Sequence, residues 1–198
     1  MKTLIIIPSR MSATRLPGKP LLKINGLSII SHVFKRAESA NIGEVVVAAE
    51  DQEIADDVKN NGGHVVLTSK NNKTGTDRIF EAFKILGRND IDLIMNVQGD
   101  EPDIDINDIK MLDNKMKTNN SKMGTLAAKI PSLKMYEDEN IVKVKIRKSF
   151  NRNSFPQAEN FMRKTKDKED IFHHIGIYCY EVETLKKFIS FNQSKNEL

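Results

Sequence analysis

Thr3-Leu4-Ile5-Ile6-Ile7-Pro8-Ser9-Arg10 decides the fold class of this chain. Its unbroken apolar, largely β-branched run suits a strand buried on both faces, which points to a parallel sheet covered by helices. Working outward, Ile29, Ile30, Val33, Phe34 and Ala37 recur at helical spacing, with Ser28 placed as their cap. A strand is expected over 44–49, a short polar helix over 51–60 stopped by Gly62-Gly63, and a strand at His64–Leu67. Thr76 is placed as the cap of a further helix, whose Ile79, Ala82, Phe83 and Leu86 form one apolar face. A fourth strand over 93–97 runs into Gln98-Gly99-Asp100-Glu101-Pro102.

Strands alternating with helices of this length imply right-handed βαβ units and a mostly parallel, doubly wound α/β sheet. From Met123 the pattern loosens. Strands are expected at Met123–Ala128, 142–146 and 175–180, separated by loops, with a closing helix over 181–191. The 198 residues therefore read as one domain: a βα half over 1–122 and a mixed β extension over 123–198 covering the ligand-binding edge of the sheet.

Composition excludes several classes. Hydrophobic residues at 39% and charged residues at 29% describe a globular chain, and no apolar run approaches the length needed to span a bilayer. No membrane association is expected. The single cysteine, Cys179, permits no internal disulfide and lies in an apolar run, so it reads as a small buried hydrophobe in a cytoplasmic protein. A net charge of +4 raises the question of nucleic acid, but the lysines are scattered and Trp is absent, so a solvated basic surface is the better reading.

The chemistry concentrates in two segments. The first begins at Pro8-Ser9-Arg10 and runs through Met11 to Leu21, directly after the first strand, where such sheets bind nucleotides. Arg10, Arg15 and Lys19 supply two planar forks and a point charge, the donor set a triphosphate needs. Residue type alone fits a solvated basic loop equally well; the position after the strand favours phosphate. The spacing is not that of a Walker loop. The second segment is the strand end at 98–102, where Asp100 offers a hard oxygen ligand aimed into the crevice, with Glu101 as the alternative.

Ser12-Ala13-Thr14-Arg15-Leu16-Pro17-Gly18-Lys19-Pro20-Leu21, Thr74-Gly75-Thr76-Asp77-Arg78, Asn96-Val97-Gln98-Gly99-Asp100-Glu101-Pro102 and His174-Ile175-Gly176-Ile177-Tyr178 together resemble the sugar-acid cytidylyltransferases, in detail those specific for 3-deoxy-manno-octulosonate (Kdo). The resemblance runs from about residue 3 to the end of the chain. It implies a glycosyltransferase-A-like nucleotidyltransferase fold, CTP and a sugar acid as substrates, Mg2+ as cofactor, a role in lipopolysaccharide biosynthesis and a homodimer. It also implies that 123–198 serves sugar binding and dimerisation.

Residue by residue, the resemblance assigns Arg10, Arg15 and Lys19 to the triphosphate, with Pro8 and Ser9 beside the nucleotide. It places Thr76 and Arg78 at the cytidine and its phosphates, Gln98 at the base or ribose, and Asp100 on magnesium. Arg10, Lys19 and Asp100 form the catalytic set; Arg152, His174 and Tyr178 face the sugar acid. The chain departs from the family in a short hairpin at Arg147-Lys148-Ser149 and in Gln157-Ala158-Glu159 where an arginine is usual. It also stops at Leu198, before a helix with a Glu-Gln pair and a Val-Asp-Thr-Pro segment carrying a second magnesium carboxylate. Weak metal binding and slow turnover are the expectation from that last departure.

Overall fold

The computed structural model describes residues 1–12, 16–147, 151 and 154–191. Its elements run β1 (Thr3–Ser9), a 3-10 turn at Lys19–Leu21, β2 (Lys23–Ile24), β3 (Leu27–Ser28), α1 (Ile29–Ser39), β4 (Gly43–Ala49), α2 (Gln52–Asn60) and β5 (His64–Leu67). They continue with α3 (Gly75–Leu86), β6 (Leu93–Asn96), α4 (Ile106–Thr118), β7 (Met123–Ala128), α5 (Leu133–Glu137), β8 (Lys143–Ile146), β9 (Ala158–Met162), β10 (Ile171–Glu181) and α6 (Val182–Ser190). Among the described residues no helix is long and apolar enough to cross a membrane.

The chain divides into two compact units, residues 1–124 with 177–198 and residues 125–176. In the first unit β5, β4, β1 and β6 lie side by side in parallel, and the end of β10 pairs antiparallel with β6. Leu4 to Ile7 are fully buried, as their apolar run demanded. On one face Leu4, Ile6, Val46 and Ile94 pack with Ile79, Ala82 and Phe83 of α3 and Leu185 of α6. α1 packs against β1 and β4, flanked by α2 and α4. Ser28 caps α1 as expected, accepting the Ser31 amide at 3.2 Å.

The cap of α3 differs from expectation. Thr74 accepts the Asp77 amide at 3.1 Å and the Asp77 carboxylate accepts the Thr74 amide at 2.9 Å, so the cap lies two residues before Thr76. The T-x-x-D spacing is itself a reciprocal cap, satisfying two backbone amides where a lone threonine satisfies one.

In the second unit β7 and β8 pair with β10, and β9 forms the outer partner of β8. Neither β9 nor α4 follows from the sequence reading. The largely exposed Ala158–Met162 carries no apolar alternation, and α4 hides Ile109, Leu112 and Met116 among polar and charged neighbours. Lys143 is fully buried in this unit, its ammonium donating to the Arg163 carbonyl at 2.9 Å and the Asp138 carbonyl at 2.5 Å.

Candidate active site

Parallel pairing brings the C-terminal ends of β1, β4 and β6 to one edge, with Ser9 opposite Ala49 and Asn96 opposite Ile6. The segments leaving β1 and β6 converge there with the start of α3. Pro8, Ser9, Arg10, Lys19, Pro20, Thr74, Gly75, Arg78, Gln98, Gly99 and Asp100 line one cavity of about 280 Å3. Lys19 Nζ donates to Asp100 Oδ2 at 2.7 Å, uniting the loop cation with the strand-end carboxylate. A Cβ on Gly99 would stand 2.7 Å from the Pro8 carbonyl oxygen, so only glycine lets β1 and the 98–102 turn approach this closely.

Two polar atoms distinguish this edge. Ser9 Oγ and Asn96 Oδ1 are buried and have no hydrogen-bond partner among the described residues. Buried polar atoms are paired in the great majority of cases, so the Ser9 hydroxyl, on the cavity wall, is suited to a ligand.

Arg78 lines the cavity from α3, yet its guanidinium is nearly enclosed. Nη1 donates to Thr68 Oγ1 at 2.7 Å and to the Ser69 carbonyl at 3.3 Å, while Nη2 pairs with Glu50. Thr68 in turn donates to the Ala49 carbonyl at 3.0 Å. Glu50 is a residue the sequence reading missed. Its only signal was its place directly after a buried strand, at the edge where ligands bind.

Of the expected nucleotide residues, Pro8, Ser9, Arg10, Lys19, Arg78, Gln98 and Asp100 therefore meet in one cavity. Thr76 does not join them: Thr74 and Gly75 occupy the wall instead. Arg15 and Arg152 lie outside the described residues. Tyr178 stands opposite Asn96 on β6 and stacks on Tyr180 at 6.0 Å, and it is not a lining residue of this cavity.

His174 sits in the second unit, its Nε2 3.0 Å from Thr125 Oγ1 and its ring edge-on to Phe161 at 5.0 Å. Burial, reinforced by His173, lowers its pKa from an ordinary 6.5 to about 4. Neutral imidazole is therefore the form present at pH 7. The unfolded chain takes up a proton near pH 6.5 and the folded chain only near 4, so stability declines as pH falls through that window and levels off below it. His173 shifts in the same direction through burial and Lys143. Replacing His174 by Gln is expected to flatten the fall between pH 6.5 and 4, read from urea midpoints at successive pH values. An unchanged slope would show that His174 titrates normally.

Among the described residues no group of three His, Cys, Asp or Glu side chains is gathered to hold a metal ion. Among the described residues, Asp100 alone presents a carboxylate to the cavity. Glu101, the alternative ligand, is not part of the wall, and its pKa is raised by burial and then by Asp100.

Comparison with known proteins agrees with this geometry. The sequence model of the cytidylyltransferase family matches residues 4–198. A 3-deoxy-manno-octulosonate cytidylyltransferase of Rhodopseudomonas palustris (strain BisB18) is 41% identical over 199 residues, covering 99% of this chain and 80% of that protein. The enzyme of that name from Thermodesulfovibrio yellowstonii is 39% identical over 209 residues, covering 100% and 82%. Among solved structures, CMP:2-keto-3-deoxy-manno-octonic acid synthetase complexed with CTP superposes with a TM-score of 0.87 at 31% identity, covering 100% of this chain and 81% of that one. A 4-diphosphocytidyl-2C-methyl-D-erythritol synthase from Anaerococcus prevotii shares the fold alone, with a TM-score of 0.64 at 12% identity. Strand-end cavity, loop cations and similarity along 99% of this chain lead to one assignment: the chain belongs to the cytidylyltransferase family.

Proposed function

We propose that this chain transfers CMP from CTP to Kdo, giving CMP-Kdo and pyrophosphate for lipopolysaccharide biosynthesis. The observation that carries the reading is the gathering of Arg10, Lys19 and Asp100 around one cavity at the C-terminal edge of a parallel sheet. The similarity to named Kdo cytidylyltransferases supplies the substrate pair.

The anomeric hydroxyl of the sugar attacks the α-phosphorus in line. A new O–P bond forms as the bond to the β-phosphate oxygen breaks, the hydroxyl proton passes to solvent, and pyrophosphate leaves with its negative charge. Arg10, through a planar fork, and Lys19, as a point charge, stabilise that charge, so positioning and electrostatics do the work without a nucleophilic side chain. Ser9 and Gln98, which line the cavity, are assigned to the nucleoside, and Arg78 forms part of the wall beside them. Asp100 would hold Mg2+ as one hard oxygen ligand, and the cation when bound would supply further neutralisation of phosphate charge.

Because His174 is neutral, it serves the sugar acid as a hydrogen-bonding group, and the carboxylate's countercharge is assigned to Arg152. Tyr178 is proposed as a second hydroxyl partner of the sugar. The same reading includes a cytoplasmic location and a homodimer.

The test is pyrophosphate release across a grid of CTP, UTP, ATP and GTP against Kdo, its 8-amino analogue and a sialic acid, with Mg2+. Release that requires CTP and Kdo together supports the proposal. Equal release from all four nucleotides, or from CTP with another sugar acid in preference to Kdo, overturns it.

A further inference from the structure

The loop that carries Arg10 and Lys19 is drawn shut at Met11. The Met11 carbonyl accepts the Gly18 amide at 3.1 Å, and the Met11 amide donates to Asp51 Oδ2 at 2.8 Å. Gly18, at φ +71°, turns the chain back through a left-handed conformation that a side chain disfavours. The two cations stand just outside this clasp, Arg10 before Met11 and Lys19 after Gly18, and both line the cavity.

Asp51 holds the other half of the clasp from an unexpected position. It is the N-cap residue of α2, with the extended backbone (φ −112°, ψ 142°) from which an aspartate ordinarily accepts an amide of the first turn. It makes no such bond. Its half-buried carboxylate reaches instead to a loop 40 residues away in sequence, leaving the start of α2 without its side-chain cap. The adjacent Glu50 amide donates to the Ser9 carbonyl at 3.0 Å, so consecutive residues after β4 grip the chain on both sides of Arg10.

We propose that Asp51 is a positioning residue for nucleotidyl transfer: through the Met11 amide it fixes the Met11–Gly18 clasp and thereby sets where Arg10 and Lys19 meet the triphosphate. It is not among the residues lining the cavity, so it acts only through the loop. The inference rests on the cytidylyltransferase reading of that cavity.

The test compares Asp51→Ala and Asp51→Asn with the parent chain in CTP calorimetry and in amide hydrogen exchange without nucleotide. Asparagine keeps an acceptor oxygen for the Met11 amide; alanine removes it. Asp51→Ala is expected to accelerate exchange at Met11 and weaken CTP binding about tenfold, the factor that one lost charge-assisted hydrogen bond carries. Asp51→Asn is expected to stay within about threefold of the parent, the difference between a charged and a neutral acceptor. A purely structural residue would shift the thermal midpoint of the free protein and leave CTP affinity in place. The role is overturned if Asp51→Ala leaves either Met11 exchange or CTP affinity unchanged, or if both variants lose affinity equally. If the parent chain binds no CTP while Met11 exchange still responds to Asp51→Ala, the reading of the cavity fails, and this role with it.

Discussion

Asp100→Asn is expected to lower kcat/KM for CMP transfer by about a hundredfold or more, the scale on which a single preorganised electrostatic group acts at a reacting phosphate. The replacement keeps the shape of the side chain and one acceptor oxygen, so the loss reports the negative charge. Two effects contribute. A hard divalent cation loses its carboxylate, which raises the Mg2+ concentration needed for half-maximal rate. Lys19, whose ammonium lies 2.7 Å from Asp100 Oδ2, also loses the partner that orients it. Lys19→Ala separates the two: it is expected to raise KM for CTP while leaving the Mg2+ requirement near that of the parent. The Lys19–Asp100 pair itself adds little to folding, because both side chains reach solvent. Pyrophosphate release titrated with Mg2+ for parent and both variants is the measurement. Parent-like turnover of Asp100→Asn at low Mg2+ would remove Asp100 from the metal.

The largest expected effect on stability comes from Arg78. Its side chain is 3% exposed and that of Glu50 is 9% exposed, so Arg78→Met would leave a carboxylate buried without a counter-ion. Removing one partner of a buried pair costs about 3–5 kcal/mol, because the survivor has neither water nor an opposite charge. Thr68 and the Ser69 carbonyl would lose their donor as well. Pairing Arg78→Met with Glu50→Leu is expected to recover much of the loss, since the buried charge is then gone. Urea unfolding of the single and double variants measures both, with an unchanged slope marking a change in stability alone. A double variant no more stable than Arg78→Met would locate the cost in packing and not in charge. Nucleotide binding is expected to stay impaired in the double variant, because Arg78 also forms part of the cavity wall.

The residues behind these expectations were legible in the chain to different degrees. The parallel α/β class was legible at Leu4 to Ile7, since an apolar run with no polar alternate has to be covered on both faces. Arg10, Lys19 and Asp100 were offered by residue chemistry at the ends of such strands, and Gln98 by the family resemblance alone. The cap of α3 was equally available: Thr74 and Asp77 carry the reciprocal spacing, and placing the cap at Thr76 overlooked it. The strand Ala158–Met162 was not legible, because an edge strand of mostly exposed residues is held by pairing with Lys143–Ile146 and carries no periodicity of its own.

The sequence by itself thus determined the buried strands, the helices with a clear apolar face and the loop and strand-end residues that line the cavity. These are set by residues near one another along the chain, through period, capping and side-chain type. Only the tertiary structure decided which side chains distant in sequence meet at that edge. Glu50 meets Arg78, 28 residues away, and Asp51 meets Met11, 40 residues away, because parallel pairing delivers the ends of β1 and β4 and the start of α3 to one edge. It also buried His174, which lowers the pKa of its imidazole to about 4. Partnership and burial are properties of the folded surface, and no local pattern encodes them.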